Sequence, residues 1–401
     1  MKAKKAISLY TGAGGLDLGF EAAGFETRVA VEIDPDAVAT LHHNRDWPVL
    51  DRDIHDITSG ELLKAARLKE GEADILIGGP PCQPFSKSGF WASGDTKRLD
   101  DPRAGTLGAY LRVLRDSLPK TFLLENVPGL AFKRKNEGLD LIERTVAAIN
   151  RERGVHYDIR LAKLNAAWFG IPQLRERVFL VASRTGMPFV FPAATHAEGG
   201  AKGILPYATT WDAIGDLPAD LDPALKTRGK WADLLPTIPE GENYLFHTDR
   251  GGGLALFGWR RRYWSFLLKL AKNLPSWTLQ AQPGPAIGPF HWDNRRLSMR
   301  ELCRIQTFPD DFEVLGTIQA IQKQVGNAVP SALAEVLARA ICNQFLGGKM
   351  DLAPTLAPTP QSPVPPAGPV KKVPRKFHSL IGDHEAHPGT GKGHQAVKRV
   401  G

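Results

Sequence analysis

Cysteine is scarce in this chain: 401 residues hold three, Cys82, Cys303 and Cys342. So few thiols, so far apart, exclude a disulfide framework, and the lack of any Cys-x-x-Cys pair excludes a zinc ribbon or finger. At least one thiol has no partner within the chain. Long apolar runs are missing too, since none approaches the roughly 18–20 residues that cross a bilayer. The basic start Met1-Lys2-Ala3-Lys4-Lys5 leads into an apolar stretch that stops at Thr11-Gly12-Ala13-Gly14-Gly15. That is too short for a signal-peptide core and suits a strand entering a turn. These shortages point to a cytoplasmic protein that does not meet the membrane.

Positive charge is in excess. Lys and Arg number 51 against 43 Asp and Glu, for a net charge of +8 and a pI near 9.3. Such a balance points to a polyanionic partner, although part of the excess lies near the C-terminus. The length implies two or three domains, and no internal repeat is visible. Residues 5 to about 183 alternate short apolar runs with amphipathic stretches, the pattern of βαβ units around a mostly parallel sheet. Strands are expected over 6–10, 27–32, 73–77, 121–124, 158–164 and 178–182, and helices over 16–23, 37–44, 107–117 and 138–150. Residues 1–183 should thus form one α/β domain.

Over 184–296 Pro, Gly and Trp crowd in, helical periodicity fades, and six of the nine tryptophans appear. This segment reads as a smaller, irregular second domain. Residues 297–346 return to the first domain, with helical pattern over 298–306 and 331–346. Beyond them, 347–401 is rich in Pro, Ala, Lys and His, a composition expected to stay disordered as a basic tail. Its Lys371, Lys372, Arg375, Lys376, Lys392, Lys398 and Arg399 either add non-specific attraction for a polyanion or belong to a plain extension.

Tyr10-Thr11-Gly12-Ala13-Gly14-Gly15 joins the first strand to a helix, where glycines let the backbone turn sharply against a ligand. The dinucleotide fingerprint would need glycine at 17, but Asp17 stands there, and an acid at a helix start disfavours a phosphate on those amides. Glu32 follows Gly12 by 20 residues, the spacing at which an acid binds ribose hydroxyls. Asp53, after a short third strand, is placed to accept from an adenine amine. An adenosine with a cationic or zwitterionic attachment fits this set, as in S-adenosylmethionine.

Cys82 lies on the stiff turn Gly78-Gly79-Pro80-Pro81-Cys82-Gln83, at the carboxyl edge of a strand. A free cysteine is usually a small buried hydrophobe, which suits Cys303 and Cys342. A polar turn is a poor place to hide a thiol. Glu125 ends another apolar strand and should emerge at the same edge. A thiol and an acid together suit attack on an unreactive ring. A thiolate adding to carbon 6 of cytosine makes carbon 5 nucleophilic enough to take a methyl group, and the acid shares a proton with N3. A thiol near its reference pKa of about 8.5 is only a few per cent thiolate at neutral pH, yet strongly nucleophilic. An ordinary Glu, with pKa about 4.3, would have to be raised by some 3 units, about 4 kcal/mol, to hold a proton there. Burial or the bound base must supply that shift.

On these residues the sequence resembles the DNA (cytosine-5-)-methyltransferase family of the restriction–modification type, with motifs in family order over residues 5–346. Ser8 to Gly19 resembles the cofactor loop, although Ser8 stands where the family usually has Asp. Pro81-Cys82-Gln83-Pro84-Phe85-Ser86 resembles the nucleophile motif, and Glu125-Asn126-Val127 the acid motif. Gln173-Leu174-Arg175-Glu176-Arg177 resembles a pair of arginines, Arg177 at the cytosine carbonyl oxygen and Arg175 behind it. Alone, two alternating arginines would more often be a solvated face. Arg296-Leu297-Ser298-Met299-Arg300-Glu301 and Gln324-Val325-Gly326-Asn327-Ala328-Val329-Pro330 resemble the last two motifs.

The resemblance implies a Rossmann-like, S-adenosylmethionine-dependent methyltransferase domain and a target-recognition domain at 184–296. It implies a cofactor pocket built from Tyr10, Thr11, Gly12, Ala13, Gly14, Gly15, Glu32, Ile33, Asp53, Ile54, Pro80, Leu107, Asn327 and Ala328. It implies duplex DNA as substrate, a flipped-out base, a monomer associated with the nucleoid, and a cognate restriction endonuclease. DNA contacts are expected from Gln83, Ser86, Ser88 and Arg103, in a loop that also carries Lys87, Lys97 and Arg98. Others are expected from Arg260, Arg261 and Arg262, although a solvated basic turn is an equal reading of each one alone. Two rival readings stay open at this point: methylation of tRNA by the same fold, and a DNA-binding protein that has kept the fold without its chemistry.

Overall fold

The computed structural model describes residues 3–81, 105–131, 137–218, 222–259 and 264–382. Its frame follows chain order as β1 (Lys4–Leu9), α1 (Gly15–Ala22), β2 (Phe25–Val31), α2 (Pro35–Asn44), β3 (Val49–Leu50), α3 (Ser59–Ala66) and β4 (Ile75–Gly78). It continues with α4 (Gly105–Ser117), β5 (Thr121–Asn126), α5 (Glu137–Arg153), β6 (Arg160–Asn165), β7 (Gln173–Leu174) and β8 (Glu176–Ser183). Seven strands form one sheet in the order β3-β2-β1-β4-β5-β8-β6, with only β8 antiparallel to its neighbours. The expected mostly parallel α/β sheet is therefore present. The expectation did not include α3, whose capping box of Thr58 and Glu61 is legible in sequence but whose apolar face is short.

Both faces of the sheet are covered, and the period of two in each strand sorts the side chains between them. Ile7, Leu9, Leu76, Phe122, Leu124, Val178 and Leu180 pack with Leu62, Tyr110, Leu114, Ile142 and Val146 on the α3–α4–α5 side. Ala6, Ile75, Ile77, Leu123, Phe179 and Val181 face the other way, against Leu16, Phe20, Leu333, Val336 and Leu337. These last come from α1 and from a C-terminal helix, Ser331–Phe345. Four further helices, α6 (Thr210–Ile214), α7 (Met299–Ile305), α8 (Ile318–Asn327) and this one, α9 (Ser331–Phe345), complete the described helical set. The apolar stretch Ile318–Phe345 is mostly buried where it is most apolar and is broken between Asn327 and Ser331, so its hydrophobicity serves the core.

The contact of α1 with α9 is close enough to require glycine. A Cβ on Gly15 would lie 2.4 Å from the Val329 carbonyl oxygen, and one on Gly19 would lie 2.3 Å from that of Ser331. The end of α8 and the start of α9 are thereby pressed onto the helix that follows the first loop.

Residues 184–296 carry little regular structure and pack closely against the rest of the chain. Phe189 and Phe191 join the α1–α9 side of the sheet, and Ala213, Ile214, Leu270 and Leu279 share a core with Leu297, Leu302, Phe308 and Val325. Leu234, Leu235, Ile238, Tyr244, Leu256, Leu267 and Phe290 form a core of their own. The expectation of a disordered tail from 347 is corrected for residues 347–382. Leu356 and Met350 pack on the α9 face, and the buried Glu335 carboxylate accepts from the amides of Thr355 and Leu356 at 2.9 and 3.0 Å. Gln361 bonds to Asp212, and Phe377 enters the second domain, stacked on Trp231 with 5.8 Å between ring centroids. A proline-rich segment makes no core, but it can lie along one that other residues supply. Residues 383–401 lie outside the described residues.

Gly19→Ala gains about 1 kcal/mol of helix propensity yet is expected to lose about 1–3 kcal/mol overall through overpacking. A rise in the urea midpoint would mean that α1 and α9 are not in this contact. Phe377→Ala is expected to cost about 3–5 kcal/mol by the same measurement, and an unchanged midpoint would contradict the docking of residues 347–382.

Candidate active site

Strands β2 and β3 run off one side of β1, and β4 and β5 run off the other. Between the carboxyl ends of β1 and β4 the sheet therefore opens a crevice of the kind that binds ligands in open α/β folds. The loop after β1 enters it. Tyr10 adopts φ 57°, a left-handed conformation that costs a non-glycine residue about 1–2 kcal/mol, and Gly12 and Gly14 follow at 56° and 82°. Hydrogen bonds hold this shape: the Thr11 amide donates to the Val31 carbonyl at 3.2 Å, and the Tyr10 hydroxyl to that of Thr106 at 2.6 Å. Gly14 and Ala13 are buried beneath the turn, and Gly15 is fixed by the close approach of Ala328 and Val329.

Glu32 organises the next strand end. One carboxylate oxygen accepts from the Gly12 amide at 2.6 Å, and the other from the amides of Ile33 and Asp34 at 2.9 and 2.8 Å. The Glu32 amide itself donates to Leu50, so β2 and β3 end side by side and bring Glu32 and Asp53 to one edge. Asp53 is exposed and caps a short turn through the His55 amide. Ile33 is 61% exposed, a large apolar side chain left uncovered beside an acid. Ile54 and Leu107, at 4% and 5%, lie in the core below, and Pro80 is buried. Ala328 approaches Gly15 from the end of α8, and Asn327, the last residue of that helix, is exposed. The structure thus brings together the residues expected to hold a nucleoside. Asp17 is turned inward: its carboxylate accepts from Ser8 and Thr27 at 2.9 and 3.0 Å and from its own backbone amide in the first turn of α1.

The second cluster lies at the ends of β4 and β5. Parallel pairing of Gly78 with Leu124 sets residues 79–81 alongside Glu125 and Asn126. A Cβ on Gly79 would come 2.8 Å from a Glu125 carboxylate oxygen, and the Asn126 amide nitrogen donates to the Pro80 carbonyl at 3.4 Å. Glu125 faces Arg177, from the neighbouring antiparallel strand, with Nε 2.9 Å from Oε1. Only 13% of the carboxylate side chain and 15% of the arginine side chain are exposed. Burial pushes the Glu125 carboxyl above its usual range, against the opposing pull of Arg177 and Arg175. A carboxyl so held can carry a proton to a bound base.

Arg175 is 1% exposed. Its guanidinium donates to the carbonyls of Leu279 and Gly326 at 3.2 and 2.8 Å, and its Nε has no partner among the described residues. Burial works against the charge of both arginines, but a guanidinium keeps its proton in a protein. Gln173, fully buried, extends the same join: its side chain donates to Gln306 at 2.6 Å and accepts from the Leu279 amide at 3.2 Å. Sequence reasoning quoted Gln173 only as part of a motif, and Gly79 and Asn126 only as neighbours. Each sat next to a recognised residue, and that was the available signal. Cys303 is buried, which pushes its thiol up to about 12, and Cys342 is buried as well, as expected of inert cysteines. Cys82, Gln83, Ser86, Ser88 and Arg103 lie outside the described residues, as do Lys87, Lys97, Arg98, Arg260, Arg261 and Arg262.

Residues 4–343 match the family model of the C-5 cytosine-specific DNA methylases. The type II methyltransferase M.SacI of Streptomyces achromogenes is 41% identical over 382 residues, 88% of this chain and 96% of that protein. M.NgoFVII of Neisseria gonorrhoeae, also a type II methyltransferase, is 34% identical over 85% of this chain and 87% of its own length. Among solved structures, a candidate DNA modification methyltransferase encoded within an E. coli prophage superposes with a TM-score of 0.62 at 24% identity. That alignment covers 86% of this chain and all of the other, and it speaks to the fold, a Rossmann-like methyltransferase sheet. A match that begins in β1, ends in α9 and spans nearly the whole of its relatives places the chain in the C-5 cytosine-specific DNA methylase family, as a DNA cytosine-5-methyltransferase of the type II class.

Proposed function

We propose that the chain methylates carbon 5 of a flipped-out cytosine within a specific duplex DNA sequence, through a covalent adduct of Cys82 at carbon 6. The observation that carries this reading is Glu125, a nearly buried carboxyl paired with Arg177 and pressed against the turn that leads to Cys82. Family membership implies S-adenosylmethionine as the methyl donor. The crevice suits it: Glu32 stands where ribose hydroxyls would be held, and the uncovered Ile33 offers an apolar face to adenine. Tyr10, Asp53, Asn327 and Ala328 frame the same space. When bound there, the donor supplies an electrophilic methyl group.

The chain's own residues do the rest. A cytosine inside a duplex hides carbon 6, so the base must leave the stack, at a cost of a few kcal/mol. Glu125 shares its proton with N3, and Arg177 donates to the carbonyl oxygen at carbon 2, so that both draw electrons from the ring. The Cys82 thiolate forms a bond to carbon 6, carbon 5 gains enamine character and takes the methyl group, and loss of the carbon 5 proton expels the thiolate. Arg175 keeps Arg177 and the recognition domain in register. The second domain reads the sequence around the target, and the restriction–modification setting of the relatives implies a cognate endonuclease against which the mark protects.

Labelled methyl transfer to duplex DNA tests the reading. Cys82→Ala is expected to abolish transfer, and robust transfer by this variant would refute the covalent route. Glu125→Gln keeps the shape but cannot give a proton, and it is expected to lower kcat by about 10²–10⁴-fold. A loss below tenfold would remove Glu125 from proton transfer. Bisulfite sequencing of DNA from expressing cells would report the base and its sequence context together.

A further inference from the structure

Asp17 is 0% exposed, yet no cation lies within ion-pair reach of it among the described residues. The groups that face it are the hydroxyls of Ser8 from β1 and Thr27 from β2 and its own backbone amide, and its own helix adds the repulsion of Glu21. A carboxylate without a counter-charge is a costly thing to bury, so what it touches matters. Ser8 Oγ, which bonds to Asp17, also lies 3.0 Å from Thr11 Oγ1, and Thr11 Oγ1 lies 3.4 Å from the Val31 carbonyl oxygen. Thr11 belongs to the loop at the crevice, and the next residue gives its amide to Glu32. A chain of single-proton groups therefore runs from the buried acid to the cofactor loop.

We propose that Asp17 is a positioning residue for cofactor binding: through Ser8 and Thr11 it sets how firmly the loop of residues 10–15 is held to the end of β2. This rests on the reading of the crevice as the S-adenosylmethionine site. The direction of the chain follows from counting protons. When Asp17 is ionised it accepts from Ser8, Ser8 accepts from Thr11, and no hydroxyl proton is left for Val31. When Asp17 is protonated it donates to Ser8, Ser8 donates to Thr11, and the Thr11 proton is free for the Val31 carbonyl. Burial raises Asp17 to about 7, so both states lie within the working range. The protonated state clamps the loop, and affinity for the nucleoside falls as pH rises through that value.

Calorimetric titration of the full chain with S-adenosylhomocysteine at pH 6 and pH 8 tests this. The unaltered chain is expected to bind more weakly at pH 8, by about 2–10-fold, the worth of one hydrogen bond. Ser8→Ala cuts the chain and leaves the Thr11 proton only the Val31 carbonyl at either pH: it should bind at pH 8 as tightly as the unaltered chain does at pH 6, lose the pH slope, and lower KM for the donor at pH 8 by more than it changes kcat. Asp17→Asn cannot titrate and should also lose the slope, while melting no lower than the unaltered chain at pH 8. If both variants keep the original affinity and slope, the proposal is overturned. If the unaltered chain binds no S-adenosylhomocysteine at all, the assignment of the crevice falls first.

Discussion

A guanidinium sealed from water must find carbonyls, and Arg175 finds them in two places that the chain reaches only later. Its bonds to Leu279 and Gly326 tie the strand that bears Arg177 to the second domain on one side and to α8 on the other. Gln173 and Gln306 repeat the join one step further in, and Gln306 goes on to the carbonyls of Val325 and Ala328 at 2.6 and 2.9 Å. Buried polar groups of this kind are weak arguments for stability and better ones for a single arrangement, because each misplacement leaves a donor or acceptor unpaired. The Glu125–Arg177 pair, the end of α8 and the segment that holds Leu279 thereby share one set of fixed distances.

Two electrostatic solutions stand side by side at the sheet's carboxyl edge. Glu125 is raised by burial but restrained by two arginines. Asp17 is raised by burial with two hydroxyls and its own backbone amide, and no cation, to offset it. The first is paired with a guanidinium and the second with neutral groups, although the two acids look alike in sequence.

Much of this was legible beforehand for physical reasons. The apolar strands of a doubly covered sheet announce themselves as short continuous runs, and the residues that follow them, Tyr10, Glu32, Gly79 and Glu125, fall at one edge by topology alone. The place of Asp17 in the helix was visible in sequence, but the inward direction of its side chain was not. Ile54 and Leu107, which the resemblance places at the cofactor pocket, are buried in the core beneath it. Residues 347–382 were misjudged for a different reason. Their order derives from surfaces made elsewhere, Trp231 and Glu335 among them, and no local pattern encodes a borrowed surface.

That borrowed surface bears on how specificity travels between enzymes of this type. The stretch 184–296 looks like a cassette, to be lifted out whole and set on another scaffold. Phe377, however, comes from beyond α9 and completes the interior of that stretch, while Gln361 anchors the path between them. A transplanted cassette without its distant C-terminal companion would arrive with an open hydrophobic socket. The folded unit here is two pieces of sequence, separated by the helices that close the sheet's second face.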